Sequence, residues 1–311
     1  MKEHDNKKKP PCLAFLIPFA PRQAKSNWKI ASEHLRQTLR SVQNSACGDF
    51  CVVVAGHDAP DFDVETDDRF RFLSLTHALP EHPRRGVAVR LDKLAKISAA
   101  WEYAKANWQP RYVMKLDSDD FISAQLVGWL AKADGPGYLL QEGWLWRDGA
   151  CYFIQKTETL DRVCGSCLVI RSDLCDRTGP FLTEVEGVEL TPENSQFAML
   201  DHYALVPGSG TSTLLLNDSH QRYAAQFAYL GYALPALPFA GVVYRDRNAD
   251  SITGRTGDGG PRFSFRMKLG ALRRMRLITN SLKREFALHP EDTRCGLDQQ
   301  AGVPNFELPP R

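Results

Sequence analysis

No run in this chain approaches the roughly 18 uninterrupted apolar residues that a membrane-spanning helix needs, so no transmembrane segment is expected. The opening MKEHDNKKKPP is charged and has no apolar core, so it is not expected to act as a signal peptide. Cysteine is sparse for a disulfide scaffold, with 8 residues in 311. Cys164 and Cys167 form a CxxC, but no second pair stands at zinc-finger spacing. Buried reduced thiols in a cytoplasmic protein are the expectation. An excess of charge of either sign is also missing: Lys+Arg number 39 against 37 Asp+Glu, which points to no particular partner, and nucleic acid is not an expected one. There is no Walker-type phosphate cradle and no G-x-G-x-x-G after the first apolar run. A calcium loop is excluded because Phe121 interrupts the D-x-D-x-D-G pattern.

What is present is enough apolar sequence, 43% of 311 residues, for one large domain or two small ones. LAFLIPF (Leu13–Phe19) is apolar, bounded by proline, and predicts a buried strand. Between Ser26 and Asn44, Trp28, Ala31, Leu35, Leu39 and Val42 recur at helical spacing. CVVVAGHD (Cys51–Asp58) and FRFLSL (Phe70–Leu75) predict two more strands. Leu91–Ala106 predicts a second helix, with Leu94, Ile97, Trp101 and Ala104 on one face. Tyr112–Leu116 predicts a fourth strand. This order is that of an open, mainly parallel α/β sheet flanked by helices, which binds ligands outside the carboxyl ends of its strands.

The fourth strand ends in KLDSDD, placing Asp117, Asp119 and Asp120 within four positions. Crowded carboxylates repel unless something offsets the charge. One of them, Asp119 or Asp120, could cap a helix over FISAQLVGWLAKA (Phe121–Ala133); three need a further reason. A D-x-D turn offers two oxygen ligands to Mg²⁺ or Mn²⁺, whose remaining positions are filled by water and phosphate oxygens. The turn therefore suggests a phosphate-bearing substrate.

With its PF-containing first strand, the helix LRQTLRSVQNSACGDF, the strand VVVAGHD and the later KLDSDD, the chain resembles the GT-A nucleotide-sugar glycosyltransferases, family 2 above all. The resemblance covers residues 12–130 well and the remainder weakly. It implies a GT-A-like fold and metal-dependent sugar transfer from a nucleotide-sugar donor to a glycan or glycolipid acceptor, in bacterial surface polysaccharide synthesis. By position it implies that Asp58 meets the nucleobase. Arg90 and Lys93 would meet the nucleotide. Asp117 would contact ribose or metal, and Asp119 would ligate the metal at the diphosphate. Asp120 would stand behind them or cap a helix.

An inverting reaction needs a carboxylate to take the acceptor proton. FAMLDHYALV holds Asp201-His202 where the family places an acidic pair, so Asp201 is the candidate base and Glu184, Glu186 and Glu189 are its rivals. TSTLLLN predicts a strand, and His220 after it is a candidate third metal ligand. RVCGSCLVI carries Gly165-Ser166 ahead of the strand Cys167–Ile170, and the family has a comparable small-residue strand beside the sugar. Arg245, Arg247 and Arg255 lie on or after PFAGVVY and could meet a diphosphate from a closing loop. From Arg262 to Arg284 there are eight Lys+Arg and no acid. Phe265, Leu269, Leu272, Met275, Ile278, Leu282 and Phe286 give this stretch helical periodicity.

The expected organisation is a tail over 1–11, a catalytic domain over 12–260, a basic amphipathic helical extension over 261–288 and an irregular tail over 289–311. Docking of the extension on the domain is favoured over peripheral contact of residues 262–286 with the inner face of a membrane. The rival functions are a sugar-phosphate nucleotidyltransferase and an inactive nucleotide-sugar-binding module.

Overall fold

The computed structural model describes residues 9–77, 87–180, 184–185, 188–189, 212–217, 223–245 and 273–293. The chain begins with β1 (Leu13–Pro18), α1 (Trp28–Gln43), β2 (Phe50–Gly56), β3 (Phe70–Ser74), α2 (Val87–Asn107) and β4 (Tyr112–Lys115). Asn27 starts α1 by accepting from the Ile30 N–H, the usual way a short polar side chain satisfies a first-turn donor. The residues LAFLI of β1 and all of β2 are buried, as central parallel strands covered on both faces must be. β3 lies at the sheet edge, with only its first residue buried.

Next come β5 (Phe121–Ile122), α3 (Leu126–Leu130), β6 (Gly137–Leu139), β7 (Gly143–Trp146), β8 (Tyr152–Lys156), β9 (Leu168–Arg171) and α4 (Ser172–Cys175). Short pieces follow: β10 (Thr178–Pro180), β11 (Glu184–Val185), β12 (Val188–Glu189), β13 (Ser212–Leu214), α5 (Tyr223–Tyr229), β14 (Val242–Arg245), β15 (Met275–Leu277) and α6 (Asn280–Glu285). The main sheet has the order β3-β2-β1-β4-β9-β6. Its first four strands run parallel, and β9 pairs antiparallel with both β4 and β6. This is an open, mainly parallel sheet with α2 packed on β1 and β2. Chain order reverses between β1 and β4, which creates the crevice at their carboxyl ends where α/β sheets take ligands. A second sheet, β15-β8-β7-β14-β5, stands beside it.

Three expectations change. Phe121–Ala133 is not one helix: Phe121 and Ile122 pair with β14 as β5, and α3 is confined to Leu126–Leu130 with no side-chain cap. Neither Asp119 nor Asp120 is therefore a helix cap. TSTLLLN is a strand only over Ser212–Leu214 and tightens into a 3-10 turn over Leu215–Asn217. The helix expected through the C-terminal extension is interrupted among the described residues, since Met275–Leu277 joins β8 as an antiparallel edge strand between the helical positions 273–274 and Asn280–Glu285. The helical periodicity misled because a strand partner was available to Met275–Leu277.

The described part of this extension, residues 273–288, packs against the second sheet. Phe286 and Leu288 are buried with Phe121, Trp146, Phe153 and Val243 in a second apolar cluster, against which Ile278 and Leu282 also pack. Arg40 of α1 ion-pairs with buried Asp292 and donates to the Ala287 carbonyl. Among the described residues no helix is long and apolar enough to cross a membrane.

Phe286 is 1% exposed, so Phe286→Ala should cost about 3–5 kcal/mol, the usual range for emptying a buried aromatic site. Urea denaturation measures this. A change of only a few tenths would mean that the extension does not share the domain's cooperative core.

Candidate active site

The acidic turn follows β4 at the crevice edge. Asp117 and Asp119 are half-buried and Asp120 is fully buried. The three carboxylates are treated differently. Asp120 N–H closes the turn on the Asp117 carbonyl at 3.2 Å. Its Oδ2 accepts from Ser166 Oγ at 2.7 Å, with Cys164 Sγ at 3.6 Å, and its Oδ1 accepts from the Arg245 backbone N–H at 3.1 Å. Burial first, and then the negative fields of Asp119 and Asp117, push its proton affinity far above the ordinary carboxylate range. Asp120 thus anchors the turn from inside and is not poised to meet a ligand.

Asp117 faces outward. Its Oδ1 accepts from Lys93 Nζ at 2.6 Å, and its backbone N–H donates to the same Ser166 hydroxyl at 2.8 Å. Removal from water works against the Lys93 charge, but the pairing with Asp117 and the nearby Asp119 and Asp120 outweigh it and hold the ammonium more firmly than usual. An internal cation therefore supplies part of the compensation that three adjacent carboxylates demand.

The small-residue stretch before β9 is brought against this turn. A side chain at Gly165 would place its first carbon 2.8 Å from Asp117 Oδ2, closer than such atoms approach, so glycine keeps that space open. The CxxC cysteines are buried and unpaired thiols, and burial raises both their pKa values.

Asp58 lies just past β2, where its Oδ2 accepts from the Arg22 N–H at 2.8 Å. With β1 between β2 and β4, Asp58 and Asp117 stand about two strand spacings apart, roughly 10 Å. The two carboxylates therefore do not converge on one point. Arg90 belongs to the first turns of α2. Asp201, His202 and His220 lie outside the described residues, as do Arg247, Arg255 and Glu186. Glu184 and Glu189 face each other across the β11–β12 pair.

Arg245 is not a loop residue that meets a ligand. Its side chain is 2% exposed and lies 5.1 Å from the ring centres of both Phe121 and Trp146. It pairs with Asp148 at 3.1 Å and donates to Gln37 Oε1 at 2.6 Å. Gly149 makes the β7–β8 turn possible with φ 76°, a value glycine tolerates best, and so presents Asp148 to this arginine.

A second cluster was not foreseen. His57 after β2, His77 after β3 and Asp92 of α2 converge, with Lys96 behind them. Among the described residues these three form the group of His, Cys, Asp and Glu that could hold a metal ion, whereas the acidic turn does not form such a three-donor group. A signal existed: Asp92, Lys96, Ala100 and Ala104 are all buried at four-residue steps on α2, while Leu94, expected on the apolar face, is only half-buried. Charges in phase with an apolar stripe mark a buried ionic pair.

No protein-family model matches the chain, and no curated protein matches it. Among solved structures it is similar to S. aureus TarS 1-349, with a TM-score of 0.36 and 15% identity over 75% of this chain and 60% of that one. A structure of S. aureus TarS aligns with a TM-score of 0.35 and 11% identity over 76% of this chain and 37% of that one. The chain thus spans less than two thirds of either.

Asp120 holds its proton more tightly folded than unfolded, so its contribution to stability is whole below the ordinary carboxylate range and declines as pH rises through the raised value. Asp120→Asn removes this decline. Urea midpoints measured from about pH 4 upward should shift progressively in favour of the variant relative to the parent. A difference that stays constant with pH would show that Asp120 ionises as readily folded as unfolded.

Proposed function

We propose that this chain transfers a sugar from a nucleotide-sugar donor to a glycan or glycolipid acceptor, with Mg²⁺ or Mn²⁺, in bacterial surface polysaccharide synthesis. The observation that carries the reading is the acidic turn at the carboxyl end of β4, beside the β1/β4 reversal, with Lys93 paired to Asp117. The donor set fits the cation: Asp120 is committed inward, Asp117 and Asp119 are half-buried, and Gly165 lets the Asp117 carboxylate lie against it. Two carboxylates are what Mg²⁺ commonly takes from a protein, phosphate and water completing the shell. When bound, such a cation offsets negative charge growing on a leaving diphosphate.

The remaining work falls to the chain's own side chains. Asp117 and Asp119 orient the diphosphate end of the donor. Lys93 adds positive charge at the same place, where an electrostatic contact matters most as the sugar–phosphate bond breaks. Asp58, two strands away, meets the base end, and Arg90, near the start of α2, adds a nucleotide contact. Asp201 takes the acceptor hydroxyl proton, and His220 completes the metal site. A nucleotidyltransferase is disfavoured by the segment after β1, where Arg22–Ala24 forms a 3-10 turn and no glycine is present.

Two variants test this reading. Asp119→Asn should abolish most of the Mn²⁺-dependent thermal shift given by nucleoside diphosphates and their sugars, while circular dichroism stays unchanged. Asp201→Asn should bind donor normally and lower transfer by roughly two orders of magnitude or more, the worth of a general base. An Asp119→Asn protein that responds to nucleotide and Mn²⁺ like the parent removes the turn from the donor site. If Asp201→Asn transfers at the parent rate, the base passes to Glu184, Glu186 or Glu189.

A further inference from the structure

The carboxyl ends of β2 and β3 carry an arrangement that the sugar-transfer reading does not use. His57 Nε2 lies 2.9 Å from Asp92 Oδ1, and His77 Nε2 lies 3.0 Å from the same oxygen. The other ring nitrogen of His57, Nδ1, is 3.1 Å from the Leu75 carbonyl. A carbonyl only accepts, so Nδ1 carries the hydrogen. In a neutral imidazole this leaves a lone pair on Nε2 aimed at a carboxylate oxygen, which also only accepts. Two acceptors face each other, His77 Nε2 converges on the same oxygen, and a cation between them would satisfy all three.

The surroundings are those of a metal-ligand set. A ligating histidine normally gives its second N–H to a backbone carbonyl, and a ligating carboxylate is itself held by a donor. Here Leu75 does the first. Lys96 Nζ does the second, at 2.5 Å from Asp92 Oδ2. The support is rigid, because His57 and Asp92 are each 8% exposed and Lys96 is 1% exposed. Bonds of about 2.0–2.2 Å to zinc set neighbouring donors about 2.8–3.1 Å apart at a right angle and about 3.3–3.6 Å apart in a tetrahedron; the 2.9 and 3.0 Å separations across Asp92 Oδ1 fit the first and need only a small opening for the second. All three donor atoms lie within 4.8 Å of one another. The Lys96 charge is set against Asp92, so two neutral imidazoles and one carboxylate oxygen remain for the ion.

We propose that His57, His77 and Asp92 form a three-ligand site for a divalent cation of borderline softness, Zn²⁺ in the first place, separate from the Asp117–Asp119 turn. Two nitrogen donors select against Mg²⁺, which prefers oxygen. His77 is 38% exposed, so the remaining position opens to solvent and can hold water or an anionic oxygen. The ion ties the ends of β2 and β3 to the first half of α2, next to Asp58.

The test uses the full untagged chain, stripped with a chelator and titrated calorimetrically with Zn²⁺, in parallel with Co²⁺ followed by its visible absorption. The expected result is a single Zn²⁺ equivalent with nitrogen-ligated cobalt bands. His77→Gln, at the exposed corner of the site, should keep the circular dichroism spectrum and weaken Zn²⁺ by about tenfold or more, at least the loss seen when a supporting contact is removed. Asp119→Asn should bind Zn²⁺ as the parent does, whatever becomes of its nucleotide response. The proposal is overturned if the parent takes up no Zn²⁺, which would leave a His57 imidazolium as the positive group between the acceptors. It is equally overturned if Zn²⁺ is lost with Asp119→Asn and kept with His77→Gln.

Discussion

A carboxylate withdrawn from water is the constraint around which this molecule is arranged. Asp120 is fully buried, and such a group survives only if its oxygens are satisfied. Ser166 and the Arg245 backbone satisfy them. Those two partners come from the approach to β9 in the main sheet and from β14 in the second, so meeting the needs of one carboxyl joins the sheets at the acidic turn. The same Ser166 hydroxyl receives the Asp117 N–H. The outward residue is therefore positioned by the group that hydrogen-bonds the inward one.

Further ionic contacts extend this join to the rest of the chain. Arg245 reaches from the backbone contact with Asp120 to Asp148 and Gln37. Gln37 donates to Asp292 at 2.8 Å, which also receives Arg40. Helix α1, the β7–β8 turn, β14 and the C-terminal extension thus share one network. Its buried members carry charge, and breaking a buried pair by removing one partner usually costs more than the pair itself contributes. The apolar cluster of Phe121, Trp146, Phe153 and Phe286 lies alongside. It keeps water from the arginine and makes the network's geometry matter.

At the crevice edge, charge is compensated internally in two places. Lys93 answers Asp117, and on the same helix Asp92 holds Lys96, four residues further along. The adjacent positions Asp92 and Lys93 point to different tasks because successive residues on a helix face about 100° apart. One joins the buried histidine cluster and the other joins the acidic turn. Both clusters lie past the carboxyl ends of parallel strands, where a sheet of this order collects its functional groups.

The four leading strands and first two helices were legible from the sequence, because apolar runs and 3.6-residue periodicity report local burial directly. So was the acidic turn at the end of β4. Tertiary structure decided the rest. Phe121 and Met275 have side chains compatible with a helix, yet each became part of a strand because an unpaired neighbour, β14 or β8, offered hydrogen bonds that local propensity does not register. Which aspartate faces inward depended on Ser166 and Arg245, 46 and 125 residues away in sequence. The histidine cluster had no local motif, since His57, His77 and Asp92 are scattered over two strand ends and a helix. The pairing order of the sheet set their proximity, and a carbonyl at Leu75 set the direction of the His57 ring. The sequence by itself determined which segments are buried and where carboxylates accumulate. The folded chain decided which charges face one another, because electrostatic partners are chosen by distance in space.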